Sequence, residues 1–274
     1  MLNLCLPFPI FACRSSHTKR TSMEEQTAPE ATAEPMSFGE KVVNILTAPG
    51  ELFENVRLTG KTTSNWLLPM VLFIVIAASL NQLILTNPSL VEQMNTLTRK
   101  GIDEAVTKGS MTAEQAEKAA ESTRPDSLIF RILQIVGVAL ITPIALFLLS
   151  LVYWLLGKWA MSASAPYMKV VEVAGLTFII SILETMVTTL LAYGTDSLFA
   201  GPNLALFVSN FDLQNKLHLA LSKVNVFTIW DLAVVSIGLS KLFQRHLPKV
   251  LVLVFALWIV WSVLTVLTGM SFGR

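Results

Sequence analysis

Apolar residues gather in five long blocks, 66–85, 128–156, 170–193, 219–239 and 250–267, and most of the charge lies between them. About 20 mostly apolar residues in a helix cross the roughly 30 Å of a bilayer's hydrocarbon, so each block predicts a membrane-spanning helix. Pro143 falls in the middle of the second and longest block, where its missing N–H and its ring predict a kink. Ahead of the blocks, Phe38, Val42, Ile45 and Leu46, then Leu52, Phe53 and Val56, recur at helical spacing on either side of Pro49-Gly50. This pattern predicts two short amphipathic helices lying with their apolar face in the inner membrane surface. The polar stretch 86–127 is helical in character. Thr112-Ala113-Glu114-Gln115 is a capping-box pattern, Gly109-Ser110 separates it from a helical stretch at 90–106, and Pro125 marks its end.

The pattern predicts an all-α integral membrane protein: a five-transmembrane-helix bundle with an amphipathic N-terminal segment and an extramembrane helical hairpin. The expected organisation is a tail at 1–36, an interfacial segment at 37–62 and a membrane domain at 63–268. Residues 2–13 are apolar but broken by Pro7 and Pro9, and no positive charge precedes them, which makes a poor signal peptide. Ile10-Phe11-Ala12-Cys13 faintly resembles a lipoprotein cleavage box. The plainer expectation is that Met23 is the true start and that 24–35 form a disordered tail.

Composition agrees with a membrane protein: charged residues make up 14% of the chain and mean hydropathy is +0.60. A net charge of +1 leaves no basic excess to neutralise phosphates, so a nucleic-acid partner is not expected. Orientation rests on Lys and Arg near the ends of the spans. With the N-terminus inside, the inner side holds Lys41, Arg57, Lys61, Lys158, Lys169, Lys241, Arg245 and Lys249, and the outer side holds as many. The inner set is denser, above all at 241–249, and this predicts an inside N-terminus. Trp66, Trp154, Trp159, Tyr167 and Tyr193 fall near the expected interfaces.

Catalytic motifs are lacking: the sequence has no phosphate-binding loop, no dinucleotide fingerprint and no HExxH. Cys5 and Cys13, with the scattered His17, His218 and His246, make neither a disulfide framework nor a metal cluster, and no cofactor is expected. The candidates for chemistry are ionisable groups within the spans, each costing about 2.5–3.5 kcal/mol at mid-bilayer on insertion scales. Asp231 lies near the middle of the fourth block, Glu184 in the outer half of the third and Arg131 just inside the second. Similar depths predict an Arg131–Glu184 ion pair, while Asp231 has no basic residue at its level. Glu172 is expected near the inner interface, within reach of water. These carboxylates read either as a proton or cation relay or as polar glue between helices. Small residues such as Gly137, Gly175 and Gly238 permit close helix approach.

A Pro-containing amphipathic segment (Ile45-Leu46-Thr47-Ala48-Pro49-Gly50-Glu51-Leu52-Phe53) precedes a Trp66-Leu67-Leu68-Pro69 entry to the first span. The fourth span carries Asn225-Val226-Phe227-Thr228-Ile229-Trp230 and closes with Gly238-Leu239-Ser240-Lys241-Leu242-Phe243. In order and spacing, residues 37–268 resemble the bacterial branch of the Ypt-interacting protein (Yip) domain family. The resemblance implies a five-span fold in a bacterial cytoplasmic membrane. Eukaryotic relatives associate with Rab GTPases and with each other in vesicle traffic. Their Asp-Leu-Tyr-Gly-Pro motif is absent here and their third-span Gly-Tyr reads Gly175-Leu176, so a Rab-type partner does not carry over. The expected function is a non-catalytic membrane-organising, scaffold or trafficking-like factor working through the bilayer, other membrane proteins or self-association. The amphipathic residues Phe38, Val42, Ile45, Leu46, Leu52 and Phe53 would serve as its surface segment. The alternative is a small transporter or channel subunit using Glu184 and Asp231.

Overall fold

The computed structural model describes residues 34–125, 127–208 and 211–268; the expectations for the N-terminal tail and for Met23 fall outside them. The described residues are all-α, and among them five helical segments are long and apolar enough to cross a membrane. These are α3 (Ser64–Ile84), α6 (Leu128–Met161), the consecutive pair α7 (Tyr167–Leu176) and α8 (Phe178–Thr195), α10 (Val226–Phe243) and α11 (Leu247–Thr268).

Three boundaries differ from the sequence expectation. The second span, which contains Pro143, runs on past 156 to Met161. The third span is divided at Thr177. The fourth begins at Val226 rather than near 219, because Lys216–Lys223 form a separate short helix, α9. Asn225 then N-caps α10 by accepting from the Phe227 N–H at 2.8 Å. Asp231 is therefore in the first third of its span, not the middle.

The hairpin forms from α4 (Pro88–Thr107) and α5 (Ala113–Ser122). Gly109 turns the chain between them at φ +70, a conformation glycine adopts without steric cost. Thr112 and Gln115 close the capping box that opens α5. At the base of the hairpin, Asn87 caps α4 and donates to Asp196 Oδ1 at 2.7 Å, while Gln93 donates to the Asp196 carbonyl. These bonds tie the hairpin to the end of α8.

The outer helices α3, α6 and α11 show long rows of exposed Leu, Ile and Val, as lipid-facing surfaces do. The most enclosed span is α7–α8, and every residue of α7 from Lys169 to Leu176 is buried.

What covers α7 corrects the reading of the N-terminal segment. Helices α1 (Phe38–Thr47) and α2 (Pro49–Leu58) form as the periodicity predicts, with Ser37 capping the first and Pro49 opening the second. Their apolar face does not rest on lipid. Ile45, Leu52, Phe53 and Val56 are fully buried in one core with Val173, Leu239 and Val250, and Val42 and Leu46 pack against it. Phe38 is half-buried. Helix α2 is docked onto α10 and α7, and α1 packs on α2 and α8, so both are part of the bundle.

Two glycines set close approaches within the bundle. A side chain at Gly238 would meet Val173 Cγ1 at 2.5 Å and the Phe53 ring at 3.1 Å. One at Gly175 would overlap Cβ of Trp66 and lie 2.5 Å from its Cα.

Candidate functional site

Docking α1 and α2 over α7 buries four polar side chains, which form one network. Glu172 stands at its centre on α7, 1% exposed. Its Oε1 accepts from the backbone N–H of Thr62 at 3.1 Å, and its Oε2 accepts from Asn65 Nδ2 at 2.7 Å and Lys169 Nζ at 3.1 Å. The other two Lys169 donors go to the carbonyls of Val56 and Gly60, both at 2.8 Å. Carbonyls at a helix C-terminus have no intrahelical donor, and a cation there also meets the negative end of the helix dipole. Lys169 therefore caps α2 from another part of the chain. Asn65 Oδ1 accepts from Lys41 Nζ at 2.7 Å, which brings α1 into the network. Burial pulls the Lys41 ammonium below its usual range; the nearby Glu172 charge opposes that pull, and Lys169 adds to it.

One carboxylate thus fastens α1, the end of α2, the 59–63 linker and the start of α3 onto α7. Glu172 is not in reach of water, as the sequence reading expected, because the N-terminal helices lie over it. The sequence reading missed Asn65 altogether and took Lys41 and Lys169 for interfacial charges. A signal for Lys41 was present: it lies three residues after Phe38 and four before Ile45, on the apolar stripe itself.

The three intramembrane candidates are placed differently from expectation. Arg131 is exposed on α6, which packs against α3 and α7. Glu184 on α8 accepts from Asn225 Nδ2 at 2.6 Å. The Arg131–Glu184 ion pair does not form among the described residues. Asn225 instead holds Glu184 with its amide nitrogen while its oxygen caps α10. Asp231, six residues further along, lies near the Thr177 hydroxyl, and its Oδ1 is enclosed without a hydrogen-bond donor among the described residues. Each of the two carboxylates is thus near a neutral polar side chain.

Such an arrangement suits helix–helix contact. Replacing Asp231 with Asn keeps the shape and removes an ionisable group whose charged form is costly to bury. Asp231→Asn is expected to unfold within about 1 kcal/mol of wild type or above it. Its liposomes should pass protons no faster than empty ones. A stability loss several times larger, or a proton flux present in wild type and absent in the variant, would contradict the structural role.

Among the described residues, no three His, Cys, Asp or Glu side chains are grouped to hold a metal. Two open grooves lie at the end of the bundle that carries α1 and α2, and neither is lined by Glu184 or Asp231.

Comparison with known proteins gives a single kind of match. No curated protein and no solved structure matches the chain. Residues 43–270 match the family model of the Yip1 domain. The matched stretch includes all five apolar spans, the clasp residues Asn65, Lys169 and Glu172, and most of the docked N-terminal helices, so the chain belongs to the Yip1 domain family of multi-pass integral membrane proteins.

Proposed function

We propose that the protein is a non-catalytic membrane-organising or scaffold factor. In this reading it sits in a bacterial cytoplasmic membrane with α1 and α2 on the inner side and acts through contacts with other membrane proteins, with itself and with lipid. The observation that carries the reading is the use made of the buried polar groups. Glu172, Lys169, Asn65 and Lys41 bond to one another and to the backbone, and their effect is to fix two extramembrane helices rigidly onto the spans. A fixed extramembrane surface suits recognition, since a partner then meets groups already in position.

The outer face of that surface offers Val43 at 58% exposure, with Leu58 also exposed at the end of α2. An exposed Val on a docked helix is a natural point of contact for a protein partner. Photo-crosslinking from position 43 in intact membranes is expected to give one or a few discrete protein adducts, a second copy of the chain included. The same crosslinker at Lys100 on α4 serves as the control. Equal, diffuse labelling from both positions would contradict a partner-binding role for this face.

A further inference from the structure

The two grooves at the α1–α2 end adjoin one another, with volumes of about 420 and 460 Å³, and share Arg57 and Gln244. The first lies between the 59–61 linker, the 164–166 linker and the end of α10, and its polar lining includes Lys61 and Ser164. The second adds Lys241 and Arg245.

Their charge is unbalanced. Glu54 accepts from Arg57 at 2.5 Å and lies 3.7 Å from Lys241, so one carboxylate serves two cations. The Arg57 hydrogen bond holds Glu54 below the usual carboxylate range, which keeps it ionised. Arg245 donates to the carbonyls of Met161 and Ser162 at 2.9 and 3.2 Å. Its guanidinium is thereby fixed in place, with no carboxylate beside it among the described residues. Lys61 is exposed and has no ion-pair partner among the described residues. Gly60, Lys61 and Ser164 line the same groove, and the Ser164 hydroxyl and the backbone N–H groups of Gly60 and Lys61 likewise donate to nothing among them.

The level of the grooves points to the occupant. Exposed apolar residues run along α6 from Leu128 to Val152. Beyond them, Lys158 lies 5.0 Å over the Trp154 ring and Trp159 is 76% exposed. Amphipathic aromatics and cations directly after an apolar run mark the headgroup layer. The linker at 164–166 begins five residues after Trp159, which sets the grooves at the level expected for lipid phosphates. Basic pockets between spans at this level suit anionic headgroups.

We infer that this cleft binds the phosphate of an anionic lipid headgroup, with Lys61, Arg57 and Ser164 as direct donors and Lys241 and Arg245 supplying the adjoining positive field. The site goes beyond the scaffold reading, which would stand on protein contacts alone if the cleft held no lipid.

The test titrates the purified full-length chain in neutral detergent with dioctanoyl phosphatidylglycerol, dioctanoyl phosphatidylcholine and glycerol 3-phosphate. Phosphatidylglycerol is expected to bind roughly five- to tenfold more tightly than phosphatidylcholine. The preference should weaken as salt rises and be abolished by Lys61→Glu. Lys100→Glu, a charge reversal on α4, should leave it unchanged. Equal binding of the two lipids overturns the proposal, as does a preference that survives Lys61→Glu. Competition by glycerol 3-phosphate at concentrations similar to the lipid's overturns the lipid assignment in favour of a soluble anion. Loss of the position-43 protein adduct in Lys61→Glu, with lipid binding unchanged, assigns the cleft to an acidic protein segment instead.

Discussion

Glu172→Gln lowers the unfolding free energy by about 3–5 kcal/mol, the range for removing one partner of a buried ion pair. Burial makes the loss large. The substitution leaves the Lys169 and Lys41 ammonium groups in the core with no anion between them. It also puts an amide group where the carboxylate accepts three donors, from Thr62, Asn65 and Lys169. Gln has one acceptor oxygen, so its NH₂ must face at least one of those donors. With its oxygen turned to Asn65 and Lys169, the amide NH₂ faces the Thr62 N–H, which loses its acceptor and leaves the 59–63 linker without its anchor. Thermal unfolding in lipid nanodiscs measures the effect. A midpoint close to that of wild type would show that the network contributes little. The exposed pair Lys118–Glu114 on α5 supplies the comparison, since breaking it should change stability by less than about 1 kcal/mol.

Gly175→Ala should destabilise by about 3 kcal/mol, at the upper end of the usual cost of overpacking. The added methyl falls on Cα and Cβ of Trp66, and these atoms cannot swing aside as the end of a flexible side chain would. To make room, α3 has to move away from α7. That movement carries Asn65, the neighbouring residue, away from Glu172, so the clash also strains the clasp. It also shifts Trp66 off the Phe147 ring, which it meets edge-on at 5.3 Å. Gly137→Ala on α6 is the matched control. Nothing lies within 4 Å of its added methyl, and helix propensity favours alanine by up to about 1 kcal/mol. The two alanine variants should therefore shift the unfolding midpoint in opposite directions. Equal shifts would mean that the α3–α7 approach is not as close as described.

The spans were legible because a run of some 20 apolar residues has few other uses. Where the reading slipped, the missing information was about neighbours. For α1 and α2 the periodicity gave the helices and their apolar face, but a bilayer and a protein core are equally apolar, and the stripe does not say which covers it. Lys41 among Phe38, Val42 and Ile45 favoured the core, since a cation there needs a built partner. Glu172 was misread because its depth along the span was judged without the helices that lie over it. The Arg131–Glu184 pair failed for a related reason: depth compares heights, whereas contact also needs facing helices, and α6 packs on α3 and α7. The start of the fourth span was blurred by Leu217, Leu219 and Leu221, which continue the apolar pattern back through α9. Asn225 marked the true boundary, and its second bond, to Glu184, joins residues 41 positions apart and could not be read from sequence.

Helices α1 and α2 are fixed parts of the membrane bundle, held there through Glu172. Amide hydrogen exchange of the full chain in nanodiscs, wild type beside Glu172→Gln, tests this most directly. In wild type, the amides of α1 and α2 should exchange as slowly as those of α10, and in Glu172→Gln protection should fall in α1, α2 and the 59–63 linker while α6 and α11 keep theirs. Fast exchange of α1 and α2 in wild type, or protection unchanged by the substitution, would contradict the account.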